Sequence, residues 1–226
     1  MLTEIQDSLL SISESTWNAL NQDGNPFTGY AFLSAIEESG CIGRETGWLP
    51  RYLVMRDNQA NIIGALPMFE KHHSWGEYVF DWAWANAWQQ CGLAYYPKLI
   101  VAVPFSPVSG HRFLVAAGHD SEKLTKELQK AAVDYAKSKS YSSLHYLFPT
   151  SLECELLKQE GLLIRHDVQF HWHNHDYPDF RGFLATMNAR KRKKIARERR
   201  RVSEMGVEFN VGLNWSIIDP LPPMAI

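Results

Sequence analysis

The stretch Arg51–Phe69, RYLVMRDNQANIIGALPMF, contains the clearest β pattern in the chain. Its two apolar runs, Arg51–Arg56 and Ile62–Phe69, lie on either side of Asp57–Asn61, which is polar and turn-like. Apolar runs that flank a short polar turn predict a β-hairpin. The stretch therefore predicts an antiparallel pair of strands.

Helical and strand patterns alternate on both sides of this hairpin. The spacing of apolar residues predicts helices at Ile5–Trp17, Gly29–Ser39, Ser121–Ser138 and Leu152–Glu160, and a long helix at Phe180–Met205. Besides the hairpin, it predicts strands at Lys98–Val103, Arg112–Ala116, Ser143–Phe148, Leu162–His166 and Phe170–Asn174. This mixture favours an α/β (α+β) fold, with one mixed, mainly antiparallel sheet and helices on both of its faces. The long basic helix follows that sheet.

Composition and the N-terminal stretch bound the class of protein. The chain has 226 residues, of which 45% are hydrophobic, so it can bury a substantial core. Met1–Ser15 carries Glu4, Asp7 and Glu14 and lacks the apolar run of a secretory signal. Apolar stretches such as Leu99–Val103 are too short to span a bilayer. We expect a cytoplasmic protein with no integral membrane insertion.

Several kinds of site are disfavoured by missing motifs. The three cysteines are far apart and form no C-x-x-C pair, so we expect free thiols and neither a disulfide scaffold nor a cysteine-based zinc site. The sequence contains no G-x-x-x-x-G-K-[ST], no G-x-G-x-x-G and no G-x-S-x-G. Nucleotide hydrolysis, Rossmann-type redox chemistry and α/β-hydrolase chemistry are therefore disfavoured.

The segment Arg190–Arg201, RKRKKIARERRR, concentrates positive charge within the long helix. It contains nine basic residues and one acid, while the whole chain has a net charge of −2. At about 100° per residue, five basic side chains lie within about 60–80° of Arg190 on one face; they are Lys193, Lys194, Arg197, Arg200 and Arg201. A one-sided cationic face predicts an anion- or phosphate-binding surface. A solvated charge run beside a linker is the alternative.

Three alternating histidines, His171, His173 and His175, would point to one face of a strand. Three imidazoles on one face could bind a transition metal. Their alternation with Phe170 and Trp172 equally suits a half-exposed strand without any ligand. No acidic ligand is clearly placed beside them, so we predict no metal site.

The stretch His72–Tyr96 is rich in aromatic residues and also contains Glu77 and Asp81. Carboxyl groups in aromatic surroundings often have shifted pKa values, which makes these two residues the candidate catalytic groups. The candidate substrate-binding residues are Tyr78, Trp82, Tyr95, Tyr96, Lys98 and Arg112. An aromatic core with a polar rim remains the alternative for the whole stretch.

Four segments resemble the bacterial FemAB-like proteins, which are peptidoglycan-related transferases of the GNAT-like superfamily. The segments are Gly76–Trp88, Tyr95–Arg112, Phe170–Asn174 and Arg190–Arg200, and the resemblance extends over about Asn25–Phe209. It implies a GNAT-like N-terminal domain at 1–178, a basic connecting helix at 179–206, and a remnant of a second GNAT-like domain or a disordered tail at 207–226. In this interpretation the chain is truncated after its first GNAT-like domain.

The resemblance also implies an activity and its partners. It predicts transfer of an acyl or aminoacyl group to an amine in peptidoglycan precursor metabolism, with acyl-CoA or aminoacyl-tRNA as the donor and no permanently bound cofactor. The donor phosphates would bind the basic helix, and a second GNAT-like domain or chain would complete the protein. The Pro-rich Pro104–Gly110 departs from the GNAT pyrophosphate loop. The alternative function is a non-enzymatic binding module for RNA or a phosphorylated cell-wall precursor.

Overall fold

The computed structural model describes residues 1–79, 81–168 and 170–207. The strands are β1 Leu2–Gln6, β2 Trp48–Pro50, β3 Tyr52–Arg56, β4 Ile62–Leu66, β5 Met68–Lys71, β6 Lys98–Val101, β7 Leu114–Val115 and β8 Leu144–Tyr146. The helices are α1 Glu14–Asn18, α2 Tyr30–Glu38, α3 Trp82–Gln90, α4 Ser121–Ser138, α5 Ser151–Gln159, α6 Phe180–Ala185 and α7 Ala189–Glu204. The predicted mixed α/β class is confirmed.

The strands form two four-stranded sheets, where the sequence predicted one. The first sheet has the order β1-β3-β4-β7 and is antiparallel throughout, and the second has the order β2-β5-β6-β8 with a parallel β6–β8 pair. Pro67 explains the division, because it lies between β4 and β5 and has no N–H for a sheet ladder. The predicted strand Ile62–Phe69 is therefore two strands, one in each sheet.

The predicted hairpin is confirmed as the β3–β4 pair, in which Leu53 lies opposite Leu66. Its turn is stabilised by the Asp57 carboxylate, which accepts hydrogen bonds from the backbone N–H groups of Gln59 and Asn61 at 2.8 and 2.9 Å. Asx turns of this kind are a common way to close short loops.

Two hydrophobic clusters form the core because neighbouring residues of each strand point to opposite faces. On β3, Tyr52 and Val54 belong to a cluster with Trp17 and Phe69, while Leu53 and Met55 belong to the other. That second cluster packs against α4, which begins and ends at the predicted residues and buries Leu124, Leu128 and Ala132. An amphipathic helix on a sheet face buries its apolar side in this way.

The predicted N-terminal helix through Ile5–Trp17 is wrong. Residues Leu2–Gln6 form β1, which pairs with β3 along its whole length, and only Glu14–Asn18 is α-helical. Pairing with the hairpin satisfies the backbone groups of this segment, so the sheet overrides the helical spacing of its apolar residues.

The chain divides into two compact units, Met1–His166 and a second that begins at Asp167. The boundary lies before Pro178, the predicted end of the N-terminal domain. The predicted strands Leu162–His166 and Phe170–Asn174 are wrong, since the structure assigns neither segment to a sheet over its described residues. The segment predicted as a domain remnant or tail, 207–226, lies outside the described residues except for Val207.

The predicted long helix Phe180–Met205 is interrupted, and α6 and α7 are separate. The Asn188 side chain accepts a hydrogen bond from the Lys191 N–H and so caps a new helix. Asparagine is a preferred N-cap, which explains the break. None of the helices in the described ranges is both long and apolar enough to cross a membrane.

Candidate active site

A buried lysine brings both candidate catalytic carboxylates together. The Lys98 ammonium, at the start of β6, donates hydrogen bonds to Glu77 Oε2 at 2.7 Å, Asp81 Oδ2 at 2.5 Å and Ser74 Oγ at 3.0 Å. The side chains of Lys98 and Glu77 are 0% exposed and that of Asp81 is 2% exposed. We call Glu77, Asp81 and Lys98 the carboxylate–lysine cluster. Charged groups this deeply buried need such partners.

Two tyrosines complete the surroundings of the Lys98 ammonium. The Tyr95 hydroxyl donates a hydrogen bond to Asp81 Oδ2 at 2.7 Å, and the Tyr96 hydroxyl is hydrogen-bonded to Ser74 Oγ at 2.7 Å. The ammonium lies 5.3 and 5.8 Å from the centroids of the two rings, within cation–π range. Of the predicted substrate-binding residues, Tyr95, Tyr96 and Lys98 are therefore grouped around the predicted catalytic pair.

The two carboxyl groups have opposite pKa shifts. Burial raises the pKa of Glu77 above its ordinary value, although the Lys98 ammonium opposes this. Burial also disfavours ionisation of Asp81, but hydrogen bonds from Lys98 and Tyr95 outweigh it and hold the pKa of Asp81 below its ordinary value. Neighbouring carboxyls with separated pKa values are a common arrangement for dividing acid and base roles.

One oxygen of each carboxylate is left without a partner. Glu77 Oε1 and Asp81 Oδ1 are both buried and accept no hydrogen bond within the part of the chain that the structure describes. Buried acceptors are nearly always satisfied in folded proteins, so an unsatisfied pair marks an unusual site.

An uncharged aromatic segment separates Asp81 from Lys98 along the chain. Residues 82–97 contain no Asp, Glu, Lys or Arg, and α3 has no buried residue. Trp82 packs edge-on against Trp75 with ring centroids 5.2 Å apart, and both residues are exposed. The predicted substrate-binding residues Tyr78 and Trp82 thus lie on the surface, while the carboxylates lie beneath it.

The second unit presents the predicted cationic face on α7. The side chains of Arg190, Lys193, Lys194, Arg197 and Arg200 line one shallow concavity, and all are exposed, as is Arg201. Lys194 pairs with Glu198 at 3.8 Å and Arg200 with Glu204 at 3.6 Å. The other four have no carboxylate partner among the described residues.

Aromatic side chains hold α7 from its opposite side. Arg199 lies about 180° around the helix from Arg190, and its guanidinium sits 4.1 Å from the centroid of the Phe180 ring. Phe180 contacts Phe183, which in turn contacts Trp172. This packing leaves the cationic face of α7 free for solvent or a ligand.

Comparison with known proteins identifies the family. A model of the FemAB-like family, described as peptidoglycan biosynthesis/recognition, matches residues 8–217. The chain belongs to the FemAB-like family. No curated protein sequence matches it significantly.

Two solved structures are similar to this FemAB-like chain at low identity. A ribosomal-protein-alanine N-acetyltransferase from Brucella melitensis biovar Abortus 2308 has 13% identity and a TM-score of 0.43, with 77% of this chain and 99% of that chain covered. An aminoglycoside antibiotic 6'-N-acetyltransferase from Acinetobacter haemolyticus has 16% identity and a TM-score of 0.42, with 78% and 100% covered. Likeness at this level says nothing about the activity of the FemAB-like chain.

Arg112 lies apart from the carboxylate–lysine cluster of this FemAB-like protein. Its buried guanidinium donates hydrogen bonds to the backbone oxygens of Leu147 at 2.8 Å, Gly110 at 3.1 Å and Val108 at 2.5 Å. Burial lowers the pKa of Arg112 to about 10. The side chain ties the loop before β7 to the end of β8, and its predicted contact with a substrate stays a prediction.

Lys71 is a member of the site that the sequence reasoning missed. It lies opposite Lys98 in the β5–β6 pair, is fully buried, and holds its ammonium 3.7 Å from the Trp48 ring centroid and 3.1 Å from the Trp75 carbonyl oxygen. Burial lowers the pKa of Lys71 to about 7. Its inward orientation could have been inferred from the sequence, because Lys71 and the apolar Phe69 are two residues apart on one strand and so point to the same face.

The three histidines of the FemAB-like chain do not share a strand face. His171, His173 and His175 are exposed and lie outside any strand. The premise for a common metal-binding face is therefore wrong. Across residues 1–79, 81–168 and 170–207, no group of three or more His, Cys, Asp or Glu residues is arranged to hold a metal ion.

Proposed function

We propose that this FemAB-like protein transfers an acyl or aminoacyl group from a phosphate-bearing donor to an amine of a peptidoglycan precursor. The observation that carries this proposal is the family match over residues 8–217. The amine nitrogen attacks the carbonyl carbon, and the bond from that carbon to the donor sulfur of acyl-CoA, or the donor oxygen of aminoacyl-tRNA, breaks. A base takes the proton that the amine loses and passes it to the departing sulfur or oxygen, so that the donor leaves as a thiol or hydroxyl.

The cationic face of α7 is suited to the phosphates of such a donor. Arginine presents a fork of donors that matches phosphate oxygens, and Arg190, Arg197 and Arg201 have no competing carboxylate among the described residues. Like charges on successive turns repel one another, so a bound polyanion would reduce the electrostatic repulsion within the unbound helix.

Glu77 is the better of the two candidates for the base. Burial raises its pKa above the ordinary value, which makes its carboxylate a stronger base than an exposed one. Its Oε1 atom accepts no hydrogen bond from the described residues and is free to accept a proton. Asp81 is instead held ionised by Lys98 and Tyr95, so we assign it to positioning the ammonium of Lys98.

Transfer of label tests the proposal. The purified chain is incubated with radiolabelled acetyl-CoA or, separately, radiolabelled aminoacyl-tRNA, together with a muropeptide precursor that carries a free amine. We expect label in the precursor from one donor, and at least a hundredfold slower transfer by Glu77→Gln, the usual range for loss of a general base. Absence of transfer from both donors, when a full-length FemAB-like relative is active in the same assay, would overturn the proposal.

A non-enzymatic binding module is the second candidate, and the burial of the carboxylates favours it. With Glu77 and Asp81 at 0% and 2% side-chain exposure, neither can touch a substrate in this conformation. Such a module would bind RNA or a phosphorylated precursor with steep salt dependence and without turnover. The label-transfer assay, run beside a binding titration at several salt concentrations, separates the two functions.

A further inference from the structure

Two exposed tryptophans, Trp75 and Trp82, lie next in the chain to residues that Lys98 binds. The Lys98 ammonium donates hydrogen bonds to Ser74 Oγ at 3.0 Å and to Asp81 Oδ2 at 2.5 Å. Ser74 directly precedes Trp75, and Asp81 directly precedes Trp82. The two indole rings meet edge to face with their centroids 5.2 Å apart. One buried ammonium therefore holds the residue beside each ring, and we call Trp75 and Trp82 the tryptophan pair.

The backbone of Trp75 is anchored although its side chain is exposed. Its N–H donates a hydrogen bond to His73 Nδ1, and its carbonyl oxygen accepts hydrogen bonds from Trp48 Nε1 and the Lys71 ammonium, each at 3.1 Å. Trp48 and Lys71 are buried, whereas Trp75 is 68% exposed and Trp82 is 41% exposed. A ring presented from a fixed backbone has less freedom to lose on binding, which lowers the entropic cost of holding a ligand.

The surface around the tryptophan pair carries no charged side chain from its own stretch of sequence. Residues 74–97 contain two charged residues, Glu77 and Asp81, and both are buried, in a chain of which 21% of the residues are charged. A charged ligand would lose hydration here without gaining an opposite charge. Grouped exposed apolar side chains mark interaction sites. The stretch therefore favours an uncharged partner.

The helix α3 adds amide groups on the same side as Trp82. At about 100° per residue, Asn86 and Gln89 lie within about 40° of Trp82 around the helix axis, and both are exposed. Their amides offer hydrogen-bond donors and acceptors without charge. An aromatic face beside neutral amides suits a sugar ring, because its C–H groups pack on the indole and its hydroxyl and acetamido groups bond to the amides.

We propose that the tryptophan pair binds an N-acetylated sugar ring of a peptidoglycan precursor, with Asn86 and Gln89 as its hydrogen-bonding groups. The inference rests on the proposed function, since it places the sugar of the same acceptor whose amine is acylated. It also gives the carboxylate–lysine cluster a supporting role, because Lys98 holds the residues that precede both rings.

A lipid surface is the other uncharged partner that exposed tryptophans contact. A helix that lies in a membrane interface has a strongly charged or polar face opposite its apolar one. The helix α3 has no charged residue, and its amides Asn86 and Gln89 share a side with Trp82. Aromatic and amide groups on one side favour the sugar over the lipid surface.

Binding of a free saccharide tests the proposal without a donor or a transfer step. The chain is titrated with chitotriose, the uncharged trimer of N-acetylglucosamine, and the heat of binding is measured by calorimetry. We expect saturable binding by the unmodified chain. Trp75→Ala and Trp82→Ala should each weaken it about fivefold or more, as expected for loss of one aromatic contact.

Trp84→Ala is the matched control. It removes a tryptophan that is 53% exposed on the same helix, but one that lies about 160° around the axis from Trp82. Its affinity for chitotriose should equal that of the unmodified chain, and thermal unfolding should be alike in all three variants. No saturable binding by the unmodified chain, or an equal loss in all three variants, would overturn the proposal.

Two further measurements complete the test. Asn86→Ala leaves both rings in place and covers failure of a tryptophan variant to fold, and weaker chitotriose binding is expected here too. Sedimentation with phosphatidylcholine vesicles that Trp82→Ala abolishes, without chitotriose binding, would assign the tryptophan pair to a lipid surface and overturn the sugar site. Chitotriose binding without label transfer would defeat the proposed function alone, and label transfer without chitotriose binding would defeat this inference alone.

Discussion

Lys71 shows how one buried residue makes the stability of the protein depend on pH. Burial lowers its pKa to about 7 in the folded state, from an ordinary value of 10.5, with the Lys98 charge adding to the shift and Glu77 opposing it. Between these two values the unfolded chain binds more protons at this position than the folded chain. The free energy of unfolding therefore gains a term that rises with pH above about 7 and is absent below it.

We predict that Lys71→Met flattens this dependence. The unmodified chain should gain up to about 1.4 kcal/mol per pH unit from this group between pH 7 and 9, and the variant should lack that gain. Urea unfolding at several pH values measures it, with Lys130→Met on the exposed side of α4 as the control. Parallel pH profiles for Lys71→Met and the unmodified chain would show that Lys71 is charged in the fold.

The aromatic setting of Glu77 and Asp81 was enough to select them from the sequence, and Tyr95, Tyr96 and Lys98 were selected with them. What the sequence could not supply was the geometry, because Lys98 reaches both carboxylates only through the register of β5 and β6. The same register places Lys71 opposite Lys98, and Ser74 accepts a hydrogen bond from the Lys98 ammonium. Arg112 was predicted with them, but its guanidinium donates its hydrogen bonds to backbone oxygens.

At the scale of single elements, the cationic face of α7 makes the clearest prediction. Arg197→Glu with Arg201→Glu should weaken binding of tRNA and reduce the slope of log affinity against log salt by about 0.7–0.9 for each phosphate that the helix then leaves unneutralised. Far-UV circular dichroism should be unchanged, because both side chains are exposed. A titration at three or more salt concentrations provides the measurement.

The control for this prediction carries the same change in net charge on other surfaces. Lys191→Glu with Arg181→Glu alters two exposed residues, one off the cationic face of α7 and one on α6. We expect a much smaller loss of affinity. If the two double variants lose affinity equally, net charge and not the face governs binding.

Elements with strong local patterns could be predicted from the sequence, and those that depend on a partner could not. The helix α4 begins and ends as predicted because its apolar stripe is strong, although its cap is Asp120 and Ser121 is its first helical residue. The N-terminal segment looks helical, yet it pairs with β3. The segment Phe170–Asn174 has strand alternation but joins no sheet in the described residues. The local residue pattern reports only the intrinsic secondary-structure propensity of a segment, whereas strand pairing also depends on residues elsewhere in the chain.

For the whole molecule, the division at His166 predicts that the first unit folds by itself. Both hydrophobic clusters lie within Met1–His166, and the described residues of the second unit include no buried side chain. Fragments 1–166 and 1–178 should each unfold cooperatively, with melting temperatures within a few degrees of one another. Thermal unfolding followed by circular dichroism measures this, and a 1–166 fragment without a cooperative transition would contradict it.

The strand order also determines when each sheet can form while the chain is being synthesised. The strand β4 must wait for β7, and β6 must wait for β8, so the first sheet is complete only when Val115 has been made and the second only when Tyr146 has been made. At about 5–20 residues per second, the ribosome leaves the apolar edges of β4 and β6 unpaired in the nascent chain for several seconds. Exposed edges of this kind recruit other strands. Yield of native protein should therefore depend on chaperones that shield the growing chain, more than on the stability of the finished fold.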